Sequence, residues 1–329
     1  MTIALSNVVA YTSFTSSAQV WAFMMLSDYT EHKNLHWMLS AQIEAFPAHK
    51  SFLDRRLRNI SRAGLANLDD IALHVRALTG DDVARFAADY AWLCGEQMEE
   101  ELNFRRTGRY RLNTFNEALE QVYSNKEYMT RYMNGLLMTQ LWWANHTAVM
   151  DYYRSTFLAR MPQGYSHLEI GPGHGLFLYF AASDPKVGSV TGWDISEASI
   201  SLTKDALQTL GLEKLPELKL QNFFDSPQET FDSVVFSEVL EHMEQPREAL
   251  EYIRPLLSDR GRLFLNMPIN SPAPDHLFNM DTPEDLHAFV ENAGFKIVDH
   301  AYYPATNQTL EASRRKKLTI SCVFIATAR

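Results

Sequence analysis

Residues 167–175 read HLEIGPGHG, from His167 to Gly175, and this stretch decides the fold. A short apolar strand ends on the acid Glu169, and glycines follow at alternate positions, Gly171, Gly173 and Gly175. The run Leu176-Phe177-Leu178-Tyr179-Phe180-Ala181-Ala182 then opens a helix. Strand, tight turn and helix in this order form the seat of a nucleotide-like ligand in doubly wound sheets. Glycine suits the turn because it tolerates positive φ and, lacking Cβ, lets the backbone touch a ligand. Taken alone, the pattern also fits an ordinary βα turn, so the rest of the chain has to decide.

Downstream, strands and helices alternate, which predicts a parallel sheet built from βαβ units. A second strand, Ser189 to Asp194, ends in an acid 23 residues beyond Gly171. Doubly wound folds place the ribose-binding carboxylate at about this distance, where it accepts hydrogen bonds from both hydroxyls of the diol. Ser196 is a predicted cap for the next helix, which Gly211 ends. A third strand, Leu218 to Leu220, runs into Gln221-Asn222-Phe223-Phe224-Asp225, an amide beside an aromatic that suits the edge and face of an adenine. The fourth strand, Phe231 to Phe236, is the most apolar and leads into Ser237-Glu238-Val239-Leu240-Glu241-His242. After the turn Asp259-Arg260-Gly261, a fifth strand covers Arg262 to Met267. The polar, proline-rich loop Asn270 to His276 then falls at the carboxyl edge of the sheet, where active-site loops belong. Thr282 and Pro283 open the last predicted helix, and strands Lys296 to His300 and Leu318 to Ala328 close the chain.

Together, Glu-x-Gly-x-Gly-x-Gly, the Asp-ended strand, Asn-Phe-Phe-Asp and Phe-Asp-Ser-Val-Val-Phe-Ser-Glu-Val-Leu-Glu-His resemble the class I S-adenosylmethionine-dependent methyltransferases. The resemblance runs from about Tyr128 to the end, and its specificity lies in four motifs in the right order. It implies an α/β fold: a seven-stranded, mostly parallel sheet whose last strand is antiparallel. The implied cofactor is S-adenosylmethionine. Gly171, Gly173 and Gly175 would lie against its methionine part, with Glu169 holding the turn and reaching the amino group. Asp194 would take the ribose hydroxyls, Ile195 would lie against the adenine, and Asn222 with Phe223 would bind the adenine edge. Ser237 and Glu238 would line the methionine side. Where the family often has Asp in the third motif, this chain has Asn222, which keeps an acceptor and loses a charge. A nicotinamide dehydrogenase is disfavoured, because the glycines are spaced two and two and no second nucleotide half follows.

Methyl transfer displaces the methyl from a sulfonium in line, so the enzyme chiefly aligns its reactants and excludes water. A hydroxyl or ammonium acceptor needs a base, and His242 and His276 are the candidates. The expected reaction is methylation of a small molecule in specialised metabolism. Two other readings accompany it. Some proteins resembling the family cyclise S-adenosylmethionine itself to azetidine-2-carboxylate, releasing methylthioadenosine. A non-catalytic binder would keep the cofactor site alone.

The first half reads as helices, among them Gln19 to Leu39, Leu68 to Leu78, Asp81 to Cys94 and Phe115 to Val122. We divide the chain into a helical substrate or lid domain, 1–124, and a cofactor-binding catalytic domain, 125–329. His32 and His36 could share a helix face near Glu31, but they lack the paired Glu-x-x-His repeats of di-iron bundles, and no metal is expected. Between Asn125 and Met161 lie Tyr128, Tyr132, Trp142, Trp143, Tyr152 and Tyr153. Most read as packing residues, while Tyr128 and Tyr132 are candidates to cover a cationic ligand. Asn145 and His146 are polar positions that could reach the same pocket.

A 329-residue chain with 46% hydrophobic residues and 21% charged ones has a full globular core. Its net charge of −10 disfavours nucleic acid and anionic membranes as partners. Two cysteines far apart, Cys94 and Cys322, give no disulfide framework, which suits a reducing cytoplasm. The N-terminal stretch lacks a basic region ahead of an apolar core, so no signal peptide is expected, and no apolar run is long enough to span a membrane. An apolar face on the first-half helices could serve a homodimer.

Overall fold

The computed structural model describes residues 29–58, 60–225 and 228–329. Seven strands form one sheet: β1 (Tyr165–Ile170), β2 (Val187–Asp194), β3 (Glu217–Leu220), β4 (Phe231–Ser237), β5 (Leu257–Ile269), β6 (Phe295–Pro304) and β7 (Ile320–Ala328). Their order is β3-β2-β1-β4-β5-β7-β6. Only β7 runs against the others. The implied seven-stranded α/β architecture is therefore the one observed. β1 leaves toward β2 on one side and β4 lies on the other, so a crevice opens beyond the carboxyl ends of β1 and β4.

The strands form where apolar residues are buried from both faces, as expected of a covered parallel sheet. In β4, Val234, Val235 and Phe236 are all fully buried. One boundary differs from the sequence reading: Asp259-Arg260-Gly261 is not a free turn but lies within β5. A Cβ on Gly261 would sit 2.7 Å from the Phe231 carbonyl, so glycine is what lets the strand pass the irregular start of the β4–β5 ladder.

The first-half helices are α1 (Lys33–Ala45), α2 (Lys50–Leu57), α3 (Arg62–Thr79), α4 (Val83–Thr107), the short α5 (Phe115–Ala118), α6 (Lys126–Trp142) and α7 (Ala144–Tyr152). The Gln19–Asp28 part of the expected first helix lies outside the described residues. The helix expected from Asp81 starts two residues later: a 3-10 turn, Gly80–Asp82, leads into α4 without a side-chain cap. Asn125 does cap α6, accepting from the Tyr128 amide at 3.0 Å. The sheet helices are α8 (Leu176–Ala182), α9 (Glu197–Thr209), α10 (Pro246–Ile253), α11 (Pro283–Asn292) and α12 (Leu310–Lys316).

The first-half helices cover one face of the sheet. Leu35, Leu68, Tyr90 and Leu141 belong to one buried cluster with Phe177, Phe264 and Val323. The aromatics before β1 are mainly packing residues, as read: Trp142 donates to Gln42 at 2.8 Å, and the Tyr153 ring lies 4.6 Å from Phe177. Asn145 is spent on the core side, donating to Ser321 of β7 at 3.0 Å. Among the described residues, no helix is long and apolar enough to cross a membrane.

Candidate active site

The turn after β1 has left-handed backbone at all three glycines, with φ of 70° at Gly171, 52° at Gly173 and 78° at Gly175. Any side chain there would be strained. The Gly171 amide donates to the Trp193 carbonyl at 2.8 Å, and Thr203 of α9 donates to the Gly173 carbonyl at 2.9 Å. Those bonds, not Glu169, hold the turn. The Glu169 side chain is buried, its Oε2 has no partner, and burial drives its carboxyl well above the usual range. An ammonium group would supply the missing donor and charge, so the residue fits the amino group of a methionine moiety.

Asp194 ends β2, and both its oxygens are partly used: Oδ1 accepts from the Ser196 amide at 2.9 Å and Oδ2 from the Ser199 hydroxyl at 2.6 Å. Burial lifts its carboxyl above the usual range in spite of these bonds. Each oxygen keeps a further lone pair for a diol. Beside it Ile195 is 60% exposed, an apolar surface offered to solvent at the expected adenine position. Asn222 is exposed, and its Oδ1 accepts from the Phe224 amide at 3.0 Å. Phe223 departs from the expectation. It is buried, stacked on Phe224 at 4.4 Å and edge-on to Phe236 at 5.8 Å, so its ring belongs to the core.

At the end of β4, Asn266 of β5 donates to both Ser237 (3.1 Å) and Glu238 (2.7 Å). Glu238 has positive φ, 56°, and burial pushes its carboxyl up to about 7 against the Asn266 bond. The chain then turns through Leu240–His242, and the Glu241 carbonyl accepts from the Leu277 and Phe278 amides at 2.8 and 2.9 Å. This pins the loop after β5 to the end of β4 and brings His242 and His276 together. Their rings are 4.9 Å apart, edge to face.

The polar cluster here is dense. His242 Nδ1 lies 3.1 Å from the Asp275 carbonyl and 3.5 Å from its Oδ2. His276 Nδ1 lies 2.6 Å from the Ser271 carbonyl, and burial lowers this imidazole to about 4. Asp275 accepts from Tyr132 at 2.9 Å and from Tyr123 at 3.2 Å. Burial raises the Asp275 carboxyl, but the neighbouring imidazoles and the two phenols more than reverse this and leave it below the usual range. Tyr110 ties the loop down, accepting from the Ser271 amide at 3.0 Å and donating to Asn279 at 3.0 Å.

Both cofactor crevice and polar cluster lie under α6. A Cβ on Gly173 would be 3.7 Å from the Met133 methyl, and Tyr132 reaches Asp275. The two candidate lid tyrosines thus differ. Tyr132 is buried in the cluster, whereas Tyr128 turns to α4 and donates to Glu96 at 2.9 Å. His146 is half-buried near His174 of the glycine turn, and its Nδ1 is 2.9 Å from Thr139. Among the described residues, His32 and His36, by contrast, are not joined by a third ligating residue.

The sequence of residues 142–300 matches the family described as a methyltransferase domain. These residues belong to the class I S-adenosylmethionine-dependent methyltransferases. The methyl donor of that class is S-adenosylmethionine. The fold of almost the whole chain is similar to that of the mitomycin 7-O-methyltransferase MmcR, covering 94% of this chain and 95% of that one at a TM-score of 0.50 and 13% identity. A TehB-like methyltransferase from Corynebacterium glutamicum aligns over 62% of this chain and 100% of its own, with 18% identity and a TM-score of 0.42. The cyclase SpnF aligns over 56% of this chain and 84% of its own, with 18% identity and a TM-score of 0.45. A comparison of the sequence with curated proteins gives no match.

Four residues of this candidate site escaped the sequence reading: Asn266, Asp275, Tyr123 and Glu241. Signals existed for three of them. Asn266 interrupts the apolar run Leu263-Phe264-Leu265, Asp275 is the acid inside the proline-rich loop, and Glu241 sits beside Leu240 at the end of the most apolar strand. Tyr123 carried none, since only folding brings it to Asp275.

Proposed function

We propose that this protein transfers the methyl group of S-adenosylmethionine to a small-molecule acceptor bound between α6, the helices before it and the carboxyl edge of the sheet. The glycine turn and Glu169 take the methionine part, Asp194 the ribose, and Ile195 and Asn222 the adenine. The observation that carries the reading is the pairing of His242 with His276, each oriented by a backbone carbonyl, at the end of the strand that borders the cofactor crevice. The acceptor gives up its proton at this pair, and Asp275, Tyr123 and Tyr132 hold the pair in place. The helical first half closes the pocket and shapes it around a small substrate of specialised metabolism.

The test is mass spectrometry of the purified protein with S-adenosylmethionine, first alone and then with panels of small hydroxyl, phenol and amine acceptors. Stable cofactor without acceptor and S-adenosylhomocysteine with one is the expected result. Accumulation of methylthioadenosine with azetidine-2-carboxylate in the absence of acceptor would replace methyl transfer by cyclisation. No turnover under any condition, despite tight cofactor binding, would leave a binder.

A further inference from the structure

We infer that Glu241, His242 and His276 form a site for one divalent transition-metal ion beside the cofactor crevice. What the ion does rests on the methyl-transfer reading, whereas its binding stands on the geometry alone. Each residue offers a ligand atom, and the three atoms lie within 4.8 Å of one another.

The two imidazoles are set as ligands. Both Nδ1 atoms face backbone carbonyls, Asp275 for His242 and Ser271 for His276. A carbonyl only accepts, so each Nδ1 carries the hydrogen and each Nε2 of the neutral ring keeps its lone pair. Metal-binding histidines are oriented in this way, by a hydrogen bond from the second ring nitrogen.

Glu241 supplies the independent observation. Its side chain is fully buried, and neither Oε1 nor Oε2 has a partner. Among the described residues no lysine or arginine pairs with it, while Glu238 and Asp275 add negative charge nearby. A buried carboxylate without hydrogen bonds or counter-charge is costly, and a bound cation removes that cost. The combination of two imidazoles and one carboxylate, with positions left open, is the donor set of zinc and its first-row neighbours rather than of magnesium or calcium. Ligands about 2.1 Å from a common ion are roughly 3–4 Å from one another, so closure needs a shift of about an ångström, within reach of the Glu241 side-chain torsions.

With the ion bound, His242 and His276 are its ligands in place of the direct proton acceptors they are without it, and an acceptor oxygen fills an open position. The ion lowers the pKa of that hydroxyl. Its proton passes to solvent, an oxygen lone pair forms the new O–C bond to the methyl group, and the C–S bonding pair stays on sulfur as S-adenosylhomocysteine leaves. The favoured acceptor is therefore one whose hydroxyl can reach the ion directly.

The experiment is titration of the chelator-stripped, full-length protein with Co2+, followed by visible absorption, and with Zn2+ by calorimetry, both without cofactor. One ion per chain with the intense d–d bands of a low-symmetry site is expected. Binding should weaken at least 100-fold in His242→Ala and in His276→Ala, with circular dichroism and S-adenosylmethionine affinity checked on the same samples. Glu241→Gln gives a conservative third variant should either alanine variant misfold. Chelation should slow S-adenosylhomocysteine formation at least tenfold, reversibly. Absence of stoichiometric Co2+ binding, or equal binding by wild type and folded variants, overturns the metal site even if methyl transfer is observed. Stoichiometric binding without methyl transfer supports the site and rejects the reaction.

Discussion

In the proposed site, Asp194 serves the fold and the ligand with one carboxylate. Its two oxygens brace the start of α9, accepting from the Ser196 amide and the Ser199 hydroxyl, and each keeps a lone pair for a diol. Asp194→Ala should weaken S-adenosylmethionine binding by roughly 10- to 100-fold, the equivalent of about 1.5–3 kcal/mol for hydrogen bonds to a charged group. Calorimetric titration measures this, and unchanged affinity would remove the residue from the site. The placement of such residues at strand ends and in the turn was legible because its signal is local. Gly171, Gly173, Gly175 and Asp194 stand at fixed short distances from strand ends, and turn geometry forces the glycines. Phe223 was misplaced for an equally physical reason: in an Asn-Phe-Phe run two adjacent rings compete for the core, and spacing alone does not say which one enters. Asp275 and Asn266 stand out in the sequence as lone polar positions, but their roles do not, because their partners lie on other elements.

α6 is the element on which the arrangement turns. Its Gly135 meets α4 so closely that a Cβ would lie 2.9 Å from Leu93. Gly135→Leu should overpack this contact, cost about 1–3 kcal/mol and lower Tm by several degrees in a thermal melt. A melt unchanged from wild type would show that the helices are free to separate. Further along α6, Tyr132 donates to the buried Asp275. Removing that hydroxyl leaves a charged oxygen short of one bond, at a cost of about 1–3 kcal/mol. Tyr132→Phe is therefore expected to lower kcat about tenfold with little change in KM for S-adenosylmethionine. A raised cofactor KM with unaltered kcat would assign the tyrosine to the cofactor instead. That α6 carries aromatics was legible in the run from Tyr128 to Trp142. That it lies over both halves of the site was not, since amphipathic spacing gives a face and not the surface the face meets.

At the scale of the whole molecule, burial of histidine ties stability to pH. His167 of β1 is fully buried, its Nε2 has no partner, and burial lowers its pKa to about 3. In the unfolded chain it takes up a proton near pH 6.5, while the folded protein refuses one until about pH 3. The unfolded state therefore binds more protons in this window, and stability falls as pH drops from 6.5 toward 3. For this one group the slope approaches about 1.4 kcal/mol per pH unit. Urea midpoints from pH 7 to pH 5 should decline, and His167→Gln should flatten the decline; equal slopes in both proteins would discount the residue.

The apolar cluster shared by Leu35, Leu68 and Tyr90 with Phe177, Phe264 and Val323 joins the described helices and the sheet in one core. Calorimetry should accordingly record one transition whose van't Hoff and calorimetric enthalpies agree. Amides of α3 and of β5 would then exchange with solvent at the same opening free energy, so that damage far out in the helices is felt at once by the strands that carry the glycine turn.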